Sequence, residues 1–201
     1  MQGQNALIVI DVQNDFCSGG ALAVPDGDGV IGRINGLMED FGTVILTQDW
    51  HPATHRSFAS QHPGAAAYDL TEMPYGPQVL WPDHCVQGTP GAAFHPDLRT
   101  DPAHLILRKG FRAGIDSYSA FFENDRTTPT GLEGYLRSRG ITGVTLVGLA
   151  FDFCVAYSAL DAARLGFDVR VLEGACRAID LDGSAAAQRA AMQNAGVLLE
   201  A

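Results

Sequence analysis

Short apolar runs alternate along this chain with longer segments whose apolar positions recur at helical spacing. Runs of strand length separated by helical stretches predict a parallel sheet, because each crossover between parallel strands carries a helix that covers the sheet's flank. Six strands are predicted, at Ala6–Asp11, Thr43–Asp49, His104–Lys109, Val144–Leu149, Asp168–Leu172 and Val197–Leu199. Helices are predicted at Gly29–Asp40, Gly131–Arg139, Phe153–Leu165 and Ser184–Asn194, the last announced by Asp182 and Gly183. The fold class that follows is α/β: a three-layer α/β/α arrangement around a six-stranded, mainly parallel sheet of Rossmann-like topology.

One stretch breaks the rhythm. Between about residues 50 and 103 there is no clear strand or long amphipathic helix, yet the segment is crowded with His, Pro, Gly and aromatic residues. Loops this long in compact domains are functional or disordered, and Tyr68, Tyr75, Trp81 and Phe94 supply anchors that favour an ordered, site-building loop.

Composition narrows the function. At 201 residues and 46% hydrophobic, the chain suits a single domain spanning 1–201 with one core. A formal charge of −10 argues against a surface built to neutralise phosphates, so no nucleic acid is expected as partner. The apolar run at Ala6–Ile10 is too short for a signal peptide or membrane span, and Cys17, Cys85, Cys154 and Cys176 form no closely spaced pair. A cytoplasmic protein with reduced thiols and no membrane association is expected, as a monomer or homo-oligomer.

In an open parallel sheet, ligands bind beyond the carboxyl ends of the strands. The first predicted strand ends in Asp11, the second in Asp49 and the third in Lys109, and the fourth runs through Ala150 into a helix that begins near Cys154. A thiol in the first turn of a helix feels the positive end of the helix dipole, which with Lys109 nearby predicts a lowered pKa. Asp11 could then take the thiol proton and pass it to a departing amine, giving an Asp11, Lys109, Cys154 triad. Backbone N–H groups of Ala150 and Cys154 at the strand-to-helix turn could hold an oxyanion.

A second constellation is DWH at 49–51, followed by His55 and by His84 in PDHC. Asp49 and His51 on an extended segment point to the same side, so with His84 they can hold one divalent ion and leave coordination positions open. His55 stands between three roles: a further ligand, a partner behind the ligands, and a surface residue. His62, His95 and His104 read as exposed loop histidines.

The motifs DVQNDFCSGGALAV at 11–24, TQDWHPATHRSFAS at 47–60, WPDHCVQGTPGAAFHPDL at 81–98, KGFRAGIDSYSAFF at 109–122 and VGLAFDFCVAYSALDAARLGF at 147–167 run nearly end to end. In them the chain resembles the bacterial nicotinamidases among the isochorismatase-like cysteine hydrolases. The resemblance implies hydrolysis of nicotinamide, and of pyrazinamide, to the acid and ammonia through a cysteine thioester, in NAD salvage. It implies the triad Asp11, Lys109 and Cys154, and one divalent metal, Zn, Fe or Mn, held by Asp49, His51 and His84 against the substrate's pyridine nitrogen. It also implies a pocket lined by Phe16, Leu22, Trp81, Tyr118 and Ala150, and a cis peptide between Leu149 and Ala150.

The chain departs from the family's usual GLATDYC at Phe151 and Phe153, where threonine and tyrosine are common; Phe153 is expected in the core rather than the site. Two other readings compete. One is a related amidohydrolase acting on a carbamoyl or ureido substrate, for which the Asp49, His51, His84 set has no evident use. The other is a non-catalytic metal-binding or thiol-sensing module, which leaves Asp11 and Lys109 unexplained.

Overall fold

The computed structural model describes residues 4–201. Six strands form one sheet: β1 (Asn5–Ile10), β2 (Val44–Asp49), β5 (Leu105–Lys109), β6 (Gly143–Leu149), β7 (Asp168–Arg177) and β8 (Leu198–Glu200). Every pairing in it is parallel, in the order β5-β2-β1-β6-β7-β8. Chain order along the sheet therefore reverses between β1 and β6. Right-handed crossovers wind outward from that line in both directions, so the helices before and after it cover opposite faces, and a crevice opens at the carboxyl ends of β1 and β6. Asp11 follows β1 and Cys154 follows β6, which puts both at the crevice.

β1, β2 and β6 are buried almost throughout, the expected state of central parallel strands covered on both faces. Where β1 and β6 meet, Gly148 has φ +114°, and a Cβ there would fall 2.2 Å from the Ile10 carbonyl oxygen. Only glycine permits that close approach.

Four helices flank the sheet: α1 (Ile31–Leu37), α2 (Leu132–Ser138), α3 (Ala156–Arg164) and α4 (Ser184–Asn194). Short 3₁₀ turns at Gly27–Val30 and Met38–Asp40 extend α1 to nearly the predicted span. No described helix is long and apolar enough to cross a membrane.

Three differences from the sequence reading have physical causes. Leu70–Met73 (β3) and Gly76–Val79 (β4) pair as an antiparallel hairpin inside the long loop. Their string LTEMPYGPQV carries two prolines and little alternation, which masks a strand. β7 continues past Leu172 to Arg177 because its register against β6 slips between Leu146 and Gly148, admitting the polar residues that end the apolar pattern. Finally, α3 begins at Ala156, and Phe151–Val155 form a π-helical turn.

Candidate active site

Asp11 leaves β1 in the left-handed region, φ +49°, an uncommon conformation for a residue with a side chain. Thr47 on β2 holds it: the Asp11 N–H donates to Thr47 Oγ1 at 3.1 Å, and that hydroxyl donates to Asp11 Oδ1 at 2.6 Å. Lys109 ends β5 with its side chain fully buried, its Nζ 2.8 Å from Asp11 Oδ2 and 2.5 Å from Asp49 Oδ1. The same Nζ donates to the Ser117 carbonyl at 2.8 Å and to Cys154 Sγ at 3.5 Å. An ammonium has three N–H bonds, and Asp49, Ser117 and Cys154 take them. Asp11 Oδ2, 2.8 Å from Nζ, is left without an aligned donor, and Asp11, Asp49 and Cys154 bring one polar atom each into a common group. The predicted triad residues thus meet, with Asp49 as a fourth member that links them to the histidines.

Burial pushes the Cys154 thiol well up, with Asp11 and Asp49 adding to the effect and Lys109 only partly opposing it. This corrects the expected lowered pKa: burial beside two carboxylates raises the thiol more than Lys109 lowers it. Burial likewise raises the Asp11 carboxyl against the pull of Lys109, which suits it to accept and return a proton. For Asp49 burial is overcome by Lys109 and His51, which hold its carboxyl below the usual range, and for Lys109 burial is overcome by Asp11 and Asp49, which hold its ammonium above.

On the other side of Asp49, the Nε2 atoms of His51 and His84 lie 3.5 Å and 4.0 Å from its Oδ2. His51 Nδ1 donates to the Gly110 carbonyl at 2.8 Å and His84 Nδ1 to the Pro82 carbonyl at 2.7 Å, so each ring turns its Nε2 toward the carboxylate. Although burial lowers the His51 pKa, Asp49 more than offsets this and raises it. Gly110 permits this, since a Cβ there would lie 2.4 Å from the His51 ring. Burial and His51 push His84 down to about 4, keeping it neutral. Two imidazole Nε2 atoms and a carboxylate oxygen brought together, each ring backed by a carbonyl, form the donor set of a divalent metal site.

His55 meets His51 and Asp116 in an adjoining group. Its Nδ1 accepts from the Ser57 hydroxyl at 2.7 Å and its Nε2 donates to the Ile115 carbonyl at 3.2 Å, so both ring nitrogens are engaged. Phe58, which the sequence did not single out, packs its ring 5.5 Å from His51 and His84 and 5.6 Å from His55. Cys85 is fully buried and belongs to neither group.

The pocket between triad and histidines is lined by Phe16, Leu22, Trp81, Tyr118 and Ala150, as the resemblance implies, together with Phe153, Asp116 and Ile179. Phe153 is buried in the core, as expected, but it also lines the pocket, a place not expected of it: its ring meets Trp81 at 4.9 Å and Tyr118 at 5.6 Å, edge to face. Phe151 turns away, under the guanidinium of Arg189. The peptide between Leu149 and Ala150 is cis.

An isochorismatase-domain model matches residues 5–201. The chain belongs to the isochorismatase family. Among isochorismatase-family relatives, the nicotinamidase of Acinetobacter baylyi is 57% identical over 179 residues, covering 89% of this chain and 84% of that protein. The solved nicotinamidase/pyrazinamidase of Acinetobacter baumannii superposes with a TM-score of 0.98 at 56% identity, covering 98% of this chain and 96% of its own. A pyrazinamidase of Pyrococcus horikoshii solved in complex with zinc has a TM-score of 0.78 at 34% identity, with 98% of each chain covered.

The π-helical turn that carries Cys154 is anchored by Asp152, which is fully buried. Its carboxylate accepts from the N–H groups of Ile179 at 3.0 Å and Asp180 at 2.8 Å and from the Ser184 hydroxyl. Asp152→Ala orphans those donors and is expected to cost roughly 2–4 kcal/mol. Urea denaturation would show a lower midpoint, and kcat should fall because the nucleophile's turn loses its tether to α4.

Proposed function

We propose that this protein is a nicotinamidase, hydrolysing nicotinamide to nicotinate and ammonia, and pyrazinamide in the same way. The observation that carries the reading is the approach of Cys154 Sγ to Lys109 Nζ at 3.5 Å and of Nζ to Asp11 at 2.8 Å, at the base of an aromatic pocket. Asp11 takes the proton from Cys154 as the sulfur attacks the amide carbon. The backbone N–H groups of Ala150 and Cys154 receive the oxyanion. When the C–N bond breaks, Asp11 returns that proton to the nitrogen, and ammonia leaves. Water then attacks the resulting thioester while Asp11 accepts its proton; as the C–S bond breaks, Asp11 passes that proton to the departing sulfur, which restores the thiol and frees the acid, which ionises to the carboxylate. Lys109 keeps its charge throughout, holding Asp11 in place and opposing the negative charge that builds at sulfur. The product acid is the form that enters NAD salvage.

Asp49, His51 and His84 would hold one divalent metal, zinc, iron or manganese, with His55 bracing His51 from behind. Such an ion supplies a Lewis-acid position that the pyridine nitrogen can occupy, a lone pair equivalent to one more imidazole. Phe16, Leu22, Trp81, Tyr118 and Phe153 enclose the ring, exclude water and set the carbonyl against Cys154.

The direct test is ammonia release from nicotinamide by the purified protein. Removing the metal with a chelator, or making His51→Ala, is expected to raise KM at least tenfold and to empty the site by elemental analysis, since each removes substrate orientation rather than the nucleophile. A His51→Ala protein with its full metal content would contradict the ligand assignment.

A further inference from the structure

Gln78 lies on β4, in the hairpin that sequence patterning misses, and is 1% exposed. Its amide is the hub of a buried network. Nε2 lies 2.8 Å from the Tyr118 hydroxyl, 2.8 Å from Asp116 Oδ2 and 2.8 Å from the Val79 carbonyl. Oε1 accepts from Asn124 at 3.1 Å and from the Tyr75 hydroxyl at 3.2 Å. The surroundings fix which way the amide faces, because reversing it would set oxygen against a carboxylate and a carbonyl. Trp81 Nε1 donates to the same Tyr118 hydroxyl at 3.1 Å, so Gln78, Tyr118 and Trp81 are tied together at one oxygen.

Tyr118, Trp81 and Phe153 form an aromatic wall of the pocket that also holds Cys154. Within the wall the rings touch only edge to face, a contact that allows sliding. A directional hydrogen bond does not slide as easily. Asp116, a second side-chain acceptor of Gln78, lies against His51 and His55, so one side chain from the hairpin bonds to the wall and, through Asp116, connects to the histidines.

We infer that Gln78 is a positioning residue of the substrate pocket, which fixes the Tyr118–Trp81 wall and Asp116 so that a flat heteroaromatic amide is held in line with Cys154. This rests on the amidase reading of the site. Without its N–H groups, Tyr118 and Asp116 lose a buried donor, and side chains left so placed shift to find another. The wall then moves while the triad, held by Thr47, Lys109 and Asp49, does not.

The test compares wild type with Gln78→Met, Gln78→Glu, Tyr118→Phe and the Gln78→Met/Tyr118→Phe double variant. Gln78→Met keeps the length and removes the donors; Gln78→Glu keeps the shape and turns a donor into an acceptor facing Asp116. Both are expected to raise KM for nicotinamide, and the dissociation constant of nicotinate read by Trp fluorescence, roughly tenfold, with kcat changed less than about threefold. The double variant should be no worse than Gln78→Met, because the two residues act through one hydroxyl. A purely structural role would instead lower the melting temperature and the active fraction, reducing kcat and leaving KM alone. Unchanged KM in both Gln78 variants, or effects that multiply in the double variant, would overturn the inference while ammonia release by wild type keeps the proposed function. A wild type that releases no ammonia would overturn both.

Discussion

Cys154→Ala is expected to lower nicotinamide turnover by on the order of 10⁴-fold or more, with little change in melting temperature. The alanine fits the buried space at the head of α3, and loss of one thiol in the core costs only about 1 kcal/mol. Chemistry is affected far more, because no other described thiol shares this pocket: Cys17, Cys85 and Cys176 are buried elsewhere. Asp11→Ala should fail to a similar degree. The thiol is held in its protonated form by burial and by two nearby carboxylates, so attack requires an acceptor for its proton, and Asp11 Oδ2 is the oxygen left without an aligned donor. Because nucleophile and base act as one unit, the double variant should be barely slower than either single one. Ammonia release under substrate saturation measures all three; near-normal turnover in either single variant would refute the assigned chemistry.

The sheet was legible because central parallel strands are buried on both faces and so read as unbroken apolar runs, as at Ala6–Ile10 and Val144–Leu149. Strand ends then pointed to Asp11, Asp49 and Lys109, since a charged residue closing an apolar run has to lie at the rim of the sheet. The β3–β4 hairpin was not legible, because its prolines and polar residues are stabilised by what they touch rather than by a pattern of their own. Gln78 was invisible for the same reason: its partners Asp116 and Tyr118 stand about forty residues away in the chain. Thr47 and Phe58 carry no chemistry of their own and become informative only when Asp11 and the histidines are seen beside them. The thiol's pKa misled for a different reason. A helix start can be read from sequence, but the degree of burial at Cys154 and the presence of two carboxylates within one group are properties of the folded site. Phe153 belongs to the core as its position suggests, and its second place in the pocket lining depends on Trp81 and Tyr118, which are distant in the chain.

Lys109→Met is expected to be the most destabilising single substitution in the site. The ammonium is fully buried between Asp11 and Asp49, and methionine replaces its length without its charge. Two carboxylates would then face each other in a dry site with no lysine between them. Removing one partner from a buried ionic group costs about 3–5 kcal/mol, which for a chain of this size lowers the melting temperature by roughly 10 °C. The comparison should be made with metal chelated, because a cation held by Asp49 would offset part of the lost charge. Its pH dependence identifies the cause. With Lys109 present, Asp49 has a carboxyl held below the usual range, so its contribution to stability is present above the ordinary carboxylate pKa and is lost as pH falls. Without Lys109, burial and mutual repulsion raise the folded-state pKa values of both carboxylates, and the folded protein then binds protons more tightly than the unfolded chain. Stability of the variant should therefore rise as pH falls through that raised range, and the gap to wild type should narrow between pH 8 and pH 5. A gap that is constant across that interval would mean that lost packing, rather than an uncompensated pair of carboxylates, destabilises the variant. A wild-type melting temperature at pH 8 would mean that Lys109 does not neutralise Asp11 and Asp49 at all.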